Sequence, residues 1–187
     1  MSERAARGRL VILTGLPGAG KTTLATWLAN THGFSVASRD VIRAAMFPRC
    51  RFTLAEKAAA YEAMKAAIST MLALGLDVVT DGITFSSGEQ LREVYELAES
   101  AQAVLILHLD VLTSIAQDRV EDDRRNDPTV PADRDAALVA DVAARFDPLP
   151  MEAILIDANA SPEAVQDAAA RALRSLVPRD SAQKSGS

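Results

Sequence analysis

The sequence predicts an α/β fold with a mostly parallel sheet, and three observations carry that expectation. Five short apolar runs, at 9–14, 34–38, 76–81, 103–110 and 153–157, have strand length. Runs such as LVILT, VLILHLD and AILID show little polar alternation, the pattern of strands covered on both faces. Between the runs lie stretches of helical period, and strands alternating with helices build parallel sheets. The 187 residues suit one domain over 1–176, with 177–187 as a loose tail.

Taken in order, the first strand runs into a Gly-rich turn and a helix over 21–31. A short helix starts at Asp40, after the second strand. Residues 53–74 place Leu54, Ala58, Tyr61, Met64, Ile68, Met71 and Leu72 at helical spacing. Thr53-Leu-Ala-Glu56 is a capping box for that helix, and Gly75 can stop it. Residues 88–100, 112–123, 133–146 and 162–176 also read as helices. Ser161-Pro162 offers a cap followed by proline at the first helical position. The polar stretch RRNDPTVPA at 124–132 has no period and is a candidate mobile lid. No internal repeat occurs.

Apolar residues at 49% and charged residues at 24% fit a soluble globular chain. No apolar stretch approaches the ~20 residues of a membrane span. The N-terminal apolar run is short and breaks at Gly15, so it reads as a strand rather than a signal peptide. A cytoplasmic location is the default expectation. A single cysteine, Cys50, excludes an internal disulfide and a multi-cysteine metal site. The net charge of −5 argues against general attraction to polyanions. Arginines nevertheless cluster at Arg39, Arg43, Arg49 and Arg51, and again at Arg119, Arg124, Arg125 and Arg134. Their flat forks suit phosphate or carboxylate, although such clusters also occur on solvated helix faces.

The chemistry begins at GLPGAGKTT. Gly15, Gly20, Lys21 and Thr22 match G-x-x-x-x-G-K-[ST], after a strand and opening a helix. Gly15, Gly18 and Gly20 permit backbone angles that let the turn, with Pro17 and Ala19 in it, aim N–H groups inward as an anion nest. The helix start, with Thr22 and Thr23, adds positive potential. Lys21 reaches the β- and γ-phosphates, and the Thr22 hydroxyl is a hard ligand for Mg²⁺. The loop therefore predicts a nucleoside triphosphate site, with ATP and Mg²⁺ as cofactors. A switch GTPase needs N-K-x-D and D-x-x-G, and neither occurs. Ser86-Ser87-Gly88-Glu89-Gln90 echoes the signature of ABC-type ATPases, but it follows the P-loop too closely in too short a chain.

Ligands of open α/β sheets sit beyond the carboxyl ends of strands, which is where Ser38-Arg39-Asp40-Val41-Ile42-Arg43 falls. Asp40 can orient or deprotonate an attacking hydroxyl, or it can simply cap a helix. Arg43, three residues on, can bind an anionic or polar part of an acceptor, or pair with its neighbour. His108 reads as a packed strand residue, and Trp27 and Tyr61 as core.

GLPGAGKTTLA, SRDVIR, VVTDG and the lid arginines together resemble the small P-loop kinases. That group includes the kinase domain of phage polynucleotide kinase, chloramphenicol phosphotransferase, the gluconate kinases and the zeta-toxin relatives. The resemblance spans about residues 9–176. It implies a P-loop NTPase three-layer sandwich with sheet order 2-3-1-4-5. It implies transfer of the ATP γ-phosphate to a hydroxyl, with Asp40 as base and Arg43 on the acceptor. It implies that Arg119, Arg124 and Arg125 clamp phosphates and adenine, and that the segment 157–161 brackets the base. Either Asp81 or Asp110 is the Walker-B-like acid; Asp81 is favoured because Gly82 and ITFSSGEQ look like a site-lining loop, and the resemblance implies that an aspartate ending this strand helps bind the acceptor and form the metal site. The relatives often carry an arginine soon after that acid, whereas here the first is Arg92. The expected acceptor is a small hydroxylated metabolite, nucleoside or antibiotic. A polynucleotide 5′-hydroxyl is the alternative, disfavoured by the acidic chain and by aromatics at only 4%. A nucleotide-binding regulator without turnover is the third reading.

Overall fold

The computed structural model describes residues 7–97, 101–127, 130 and 134–176. Along them the chain alternates β1 (Arg9–Thr14), α1 (Lys21–His32), β2 (Ser35–Ser38), α2 (Arg39–Met46), α3 (Leu54–Ala73) and β3 (Val78–Asp81). It continues through α4 (Gly88–Leu97), β4 (Ala103–Asp110), α5 (Thr113–Asn126), α6 (Ala136–Ala144), β5 (Ile154–Asp157) and α7 (Pro162–Arg174). The strands form one parallel sheet in the order β2-β3-β1-β4-β5, as expected.

Both faces of the sheet are covered, which explains why its strands lack polar alternation. Val11 and Leu13 of β1 face the cluster beneath α1, α5, α6 and α7. Leu10 and Ile12 face the opposite cluster, beneath α3 and α4. All four are 0% exposed. At about 1.5–3 kcal/mol per buried aliphatic side chain, β1 is the rigid axis from which the Gly-rich turn projects. The cap of α3 has the expected box, with Thr53 and Glu56 bonded reciprocally, and α7 starts at Pro162 under the Ser161 cap.

Several boundaries differ from the expectation for local reasons. β3 begins at Val78 rather than 76, because the Asp77 carboxylate turns to accept the Arg9 main-chain N–H at 2.7 Å and its Nε at 3.0 Å. α5 runs on to Asn126 instead of stopping at 123. Glu121–Arg124 and Asp122–Arg125 ion pairs, each three residues apart, support the extra turn. α6 starts at Ala136 because Asp135 accepts the Leu138 N–H at 2.8 Å. The lid expected at 124–132 therefore loses its first residues to α5. Of the rest, 128–129 and 131–132 lie outside the described residues, as do 98–100 and the tail at 177–187.

Candidate active site beyond the strand ends

The turn after β1 passes α5 so closely that only glycine fits at one point. Gly18 has φ +81, and a Cβ there would stand 2.4 Å from the Ala116 carbonyl oxygen. α1 then opens at Lys21 with no side-chain cap and no acidic residue in its first turn. By contrast, Ser38, Thr53, Asp135 and Ser161 cap α2, α3, α6 and α7. The first N–H groups of α1 are thus left for an anion. Lys21 is buried, and its Nζ donates to the Gly15 and Leu16 carbonyls, each at 2.8 Å. Burial pushes its ammonium down to about 8, against the opposing pull of Asp81 and Asp40.

A chain of hydrogen bonds links this loop to α2. The Thr22 hydroxyl donates to Asp81 Oδ1 at 2.9 Å, and the Ser38 hydroxyl donates to Asp81 Oδ2 at 3.2 Å. Asp110 is exposed, and its carbonyl accepts the Ala158 N–H at 2.8 Å. Of the two candidate acids, Asp81 is the one in contact with the P-loop threonine. The adjoining Thr22 hydroxyl and Asp81 carboxylate are hard oxygen donors. They suit Mg²⁺, which takes one or two protein oxygens and fills its shell with water and phosphate. Among the described residues no group of three or more His, Cys, Asp or Glu side chains forms a closed metal cage.

Asp40 lies in the first turn of α2, with its side chain about half exposed. Arg43 Nη1 bonds its Oδ1 at 2.9 Å, while the same guanidinium stacks 4.7 Å from the Phe52 ring centroid. Gly82, at φ +74, lies directly against Asp40; a Cβ there would stand 2.8 Å from the Asp40 nitrogen and 3.0 Å from its Cγ. The following loop is tied to β1, since Thr84 O accepts both the Thr14 hydroxyl at 2.9 Å and the Gly15 N–H at 3.2 Å. Asp40, Asp81 and the Gly-rich turn are thereby brought together. Arg39 shares the region: its Nε is buried without a partner among the described residues, and burial lowers its pKa.

A second feature lies on the other side of the turn. Arg119 donates to the Gly18 carbonyl at 3.3 Å and the Ala158 carbonyl at 3.1 Å, bracing the P-loop against the loop after β5. Beside it opens a cleft of about 220 Å³, lined in part by Ala19, Gly20, Thr23, Ala158, Ala160 and Gln166. Asn159 fixes the far wall by accepting the Leu112 N–H at 2.8 Å. Pro17 is half-buried within the turn. Arg124 and Arg125, expected to reach into the lid loop, sit instead on α5, paired with Glu121 and Asp122. Arg134 lies 3.7 Å from Asp123, and its charge opposes that of Lys21. His108 packs edge-on to Phe146, and burial lowers its pKa.

The sequence reading gave no role to Arg39, Arg134 or the contact of Gly82 with Asp40. The two arginines were visible as members of clusters. The Gly82 contact joins distant segments and had no local signal beyond a glycine after a strand.

None of the curated proteins compared matches this chain in sequence. Among solved structures, the chain is similar to a sugar kinase from Janibacter sp. HTCC2649, at 23% identity and TM-score 0.66, over 89% of this chain and 95% of that one. It is similar to a gluconokinase from Sinorhizobium meliloti 1021, at 17% identity and TM-score 0.62, over 91% and 94%. It is also similar to a chain of the Pnkp1/Rnl/Hen1 RNA repair complex, at 16% identity and TM-score 0.55, over 80% and 50%. These likenesses establish the P-loop kinase fold. Among the described residues no helix is long and apolar enough to cross a membrane. The AAA_33 family model, described as an AAA domain, matches residues 10–149, and the chain belongs to that family.

Proposed function

We propose that this chain is an ATP-dependent, Mg²⁺-requiring phosphotransferase that moves the γ-phosphate to a hydroxyl of a small molecule. The observation that supports it most is the packing of Asp40 on Gly82, next to the Asp81–Thr22 link to the P-loop. In this reading Gly15, Gly18, Gly20, Thr23 and the start of α1 hold the triphosphate. Lys21 bears on its β- and γ-oxygens, and the base occupies the cleft beside Arg119. Thr22 and Asp81 hold Mg²⁺, which when bound neutralises charge on the phosphates. Asp40 accepts the acceptor's hydroxyl proton as the new O–P bond forms and the bond to the ADP oxygen breaks. Arg43 fixes both Asp40 and the acceptor, and Arg124 exchanges Glu121 for the moving phosphoryl. Positioning and charge stabilisation then supply most of the rate.

A polynucleotide 5′-hydroxyl is the second reading, favoured by the two guanidinium groups of α2 beside Asp40 and opposed by the net charge of −5. The test is incubation of the purified protein with Mg-ATP and a panel of sugar acids, nucleosides, hydroxylated antibiotics and 5′-hydroxyl oligonucleotides. The expected result is ADP in equal amount with one phosphorylated alcohol. Tight ATP binding without ADP formation on any acceptor would leave the regulator reading instead. A steep salt dependence of acceptor affinity would move the assignment to nucleic acid.

A further inference from the structure

Arg39 opens α2 directly after Ser38. The Ser38 hydroxyl reaches Asp81, and Asp81 takes the Thr22 hydroxyl, so Arg39 starts two hydrogen bonds from the phosphate-binding loop. Its side chain is only 24% exposed. Its Nε is fully buried with no hydrogen-bond partner among the described residues. Among the described residues the one carboxylate within 4 Å is Asp40, whose Oδ1 lies 3.9 Å away and is already bonded to Arg43 at 2.9 Å. Other covered arginines here are satisfied: Arg9 by Asp77, and Arg119 by two carbonyls. A guanidinium has five donors and keeps its proton at any biological pH, so burying its Nε–H without a partner costs stability. Such a cost persists in folded proteins where a functional group needs it.

We propose that Arg39 is an anion receptor, its guanidinium taking a phosphoryl or carboxylate oxygen beside Asp40. The choice of ligands rests on the phosphotransferase reading. Two sources offer that chemistry: the terminal phosphate of the nucleotide, and an acid group on the acceptor near its reacting hydroxyl. The first makes Arg39 a sensor of triphosphate over diphosphate; the second restricts acceptors to acidic alcohols.

Calorimetry on the wild type, Arg39→Gln and Arg39→Lys separates these. The probes are Mg-ADP, a non-hydrolysable Mg-ATP analogue, and inorganic phosphate added to analogue-loaded protein. If the terminal phosphate is the ligand, Arg39→Gln weakens the analogue by about tenfold or more and leaves ADP unchanged. If the acceptor's acid group is the ligand, both nucleotides bind as before, and the wild type's phosphate binding is lost by a similar factor. Arg39→Lys recovers part of either loss, since it keeps the charge without the fork. The free Arg39→Gln protein melts no lower than the wild type, because what is removed is a buried unsatisfied Nε–H and only a loose 3.9 Å pairing with Asp40. Wild-type binding of all three probes by Arg39→Gln overturns the proposal. So does equal loss of ADP and analogue in both variants with a lowered melting temperature, the signature of a structural arginine. Absence of transfer by the wild type to any alcohol defeats the phosphotransferase reading and leaves the nucleotide comparison intact.

Discussion

Helix α1, which opens the phosphate-binding turn, buries Lys21, Leu24, Ala25 and Leu28. Helix α2, which carries Asp40, buries no residue at all, and Val41 on it is 68% exposed. The first is held by the core. The second packs along α3 and is otherwise held by a Ser38 cap, an ion pair between Asp40 and Arg43, partial packing of Ile42 and the contact with Gly82. Elements with few buried apolar contacts open at low free-energy cost. In the proposed function the nucleotide half is therefore the fixed part and the acceptor half the more adjustable one, leaning on it.

The contrast breaks most severely at Lys21. Lys21→Met removes the buried cation of the fixed half, and ATP affinity is expected to fall by about 10²-fold or more in calorimetry. Burial holds the wild-type ammonium at about 8, below its ordinary 10.5. ATP affinity should accordingly decline as pH rises through about 8. Stability of the free protein should move the other way: the unfolded chain binds the extra proton between those two values, so unfolding free energy rises with pH there. Neither trend should survive in Lys21→Met. A flat pH profile in the wild type would show that this lysine is not desolvated.

Next comes Gly82→Ala, which strikes the adjustable half alone. Gly33 provides the matched control, because its φ of +73 equals the +74 of Gly82 but nothing lies within 4 Å of its absent Cβ. Both substitutions carry the left-handed strain of about 1 kcal/mol in thermal melts, and Gly82→Ala melts lower still because its Cβ meets the Asp40 backbone. Only Gly82→Ala displaces Asp40, so its kcat should drop by about 10- to 100-fold with ATP affinity unchanged. Equal kcat in the two variants would dissociate Gly82 from the chemistry. Arg119→Ala sits lower still: loss of its two carbonyl bonds loosens the cleft, weakening ATP and ADP alike by about tenfold. Smallest of all is Thr53→Ala, which removes the α3 cap for about 1 kcal/mol and should leave kcat and nucleotide affinity as they were.

The same division governs what the sequence could reveal. The phosphate-binding turn was legible because its demands are local: glycines where backbone needs them, a lysine and a threonine at fixed offsets, a strand before and a helix after. The sheet order followed only from the family resemblance, and the doubly covered strands announced themselves by their unbroken apolar runs. Asp40, Arg43 and Asp81 could be picked out by their places after β2 and β3 and by the resemblance, but the contacts that join them could not. Thr22 meets Asp81 across 59 residues of chain, and Gly82 meets Asp40 through a contact that no periodicity encodes. The lid arginines were misplaced for a different reason. Arg124 and Arg125 stand just before Asn126-Asp127-Pro128, which reads as a break, yet ion pairs within α5 carry the helix one turn further.

In the proposed reaction the Asp40 carboxylate on α2 faces the alcohol while the P-loop half holds the nucleotide. Asp40→Ala tests it directly, with Mg-ATP binding measured by calorimetry and phosphoryl transfer measured in a single turnover. The account predicts nucleotide affinity within about twofold of the wild type and a transfer rate lower by about 10²- to 10⁴-fold. Transfer at the wild-type rate, or loss of nucleotide binding in proportion to loss of transfer, would contradict it.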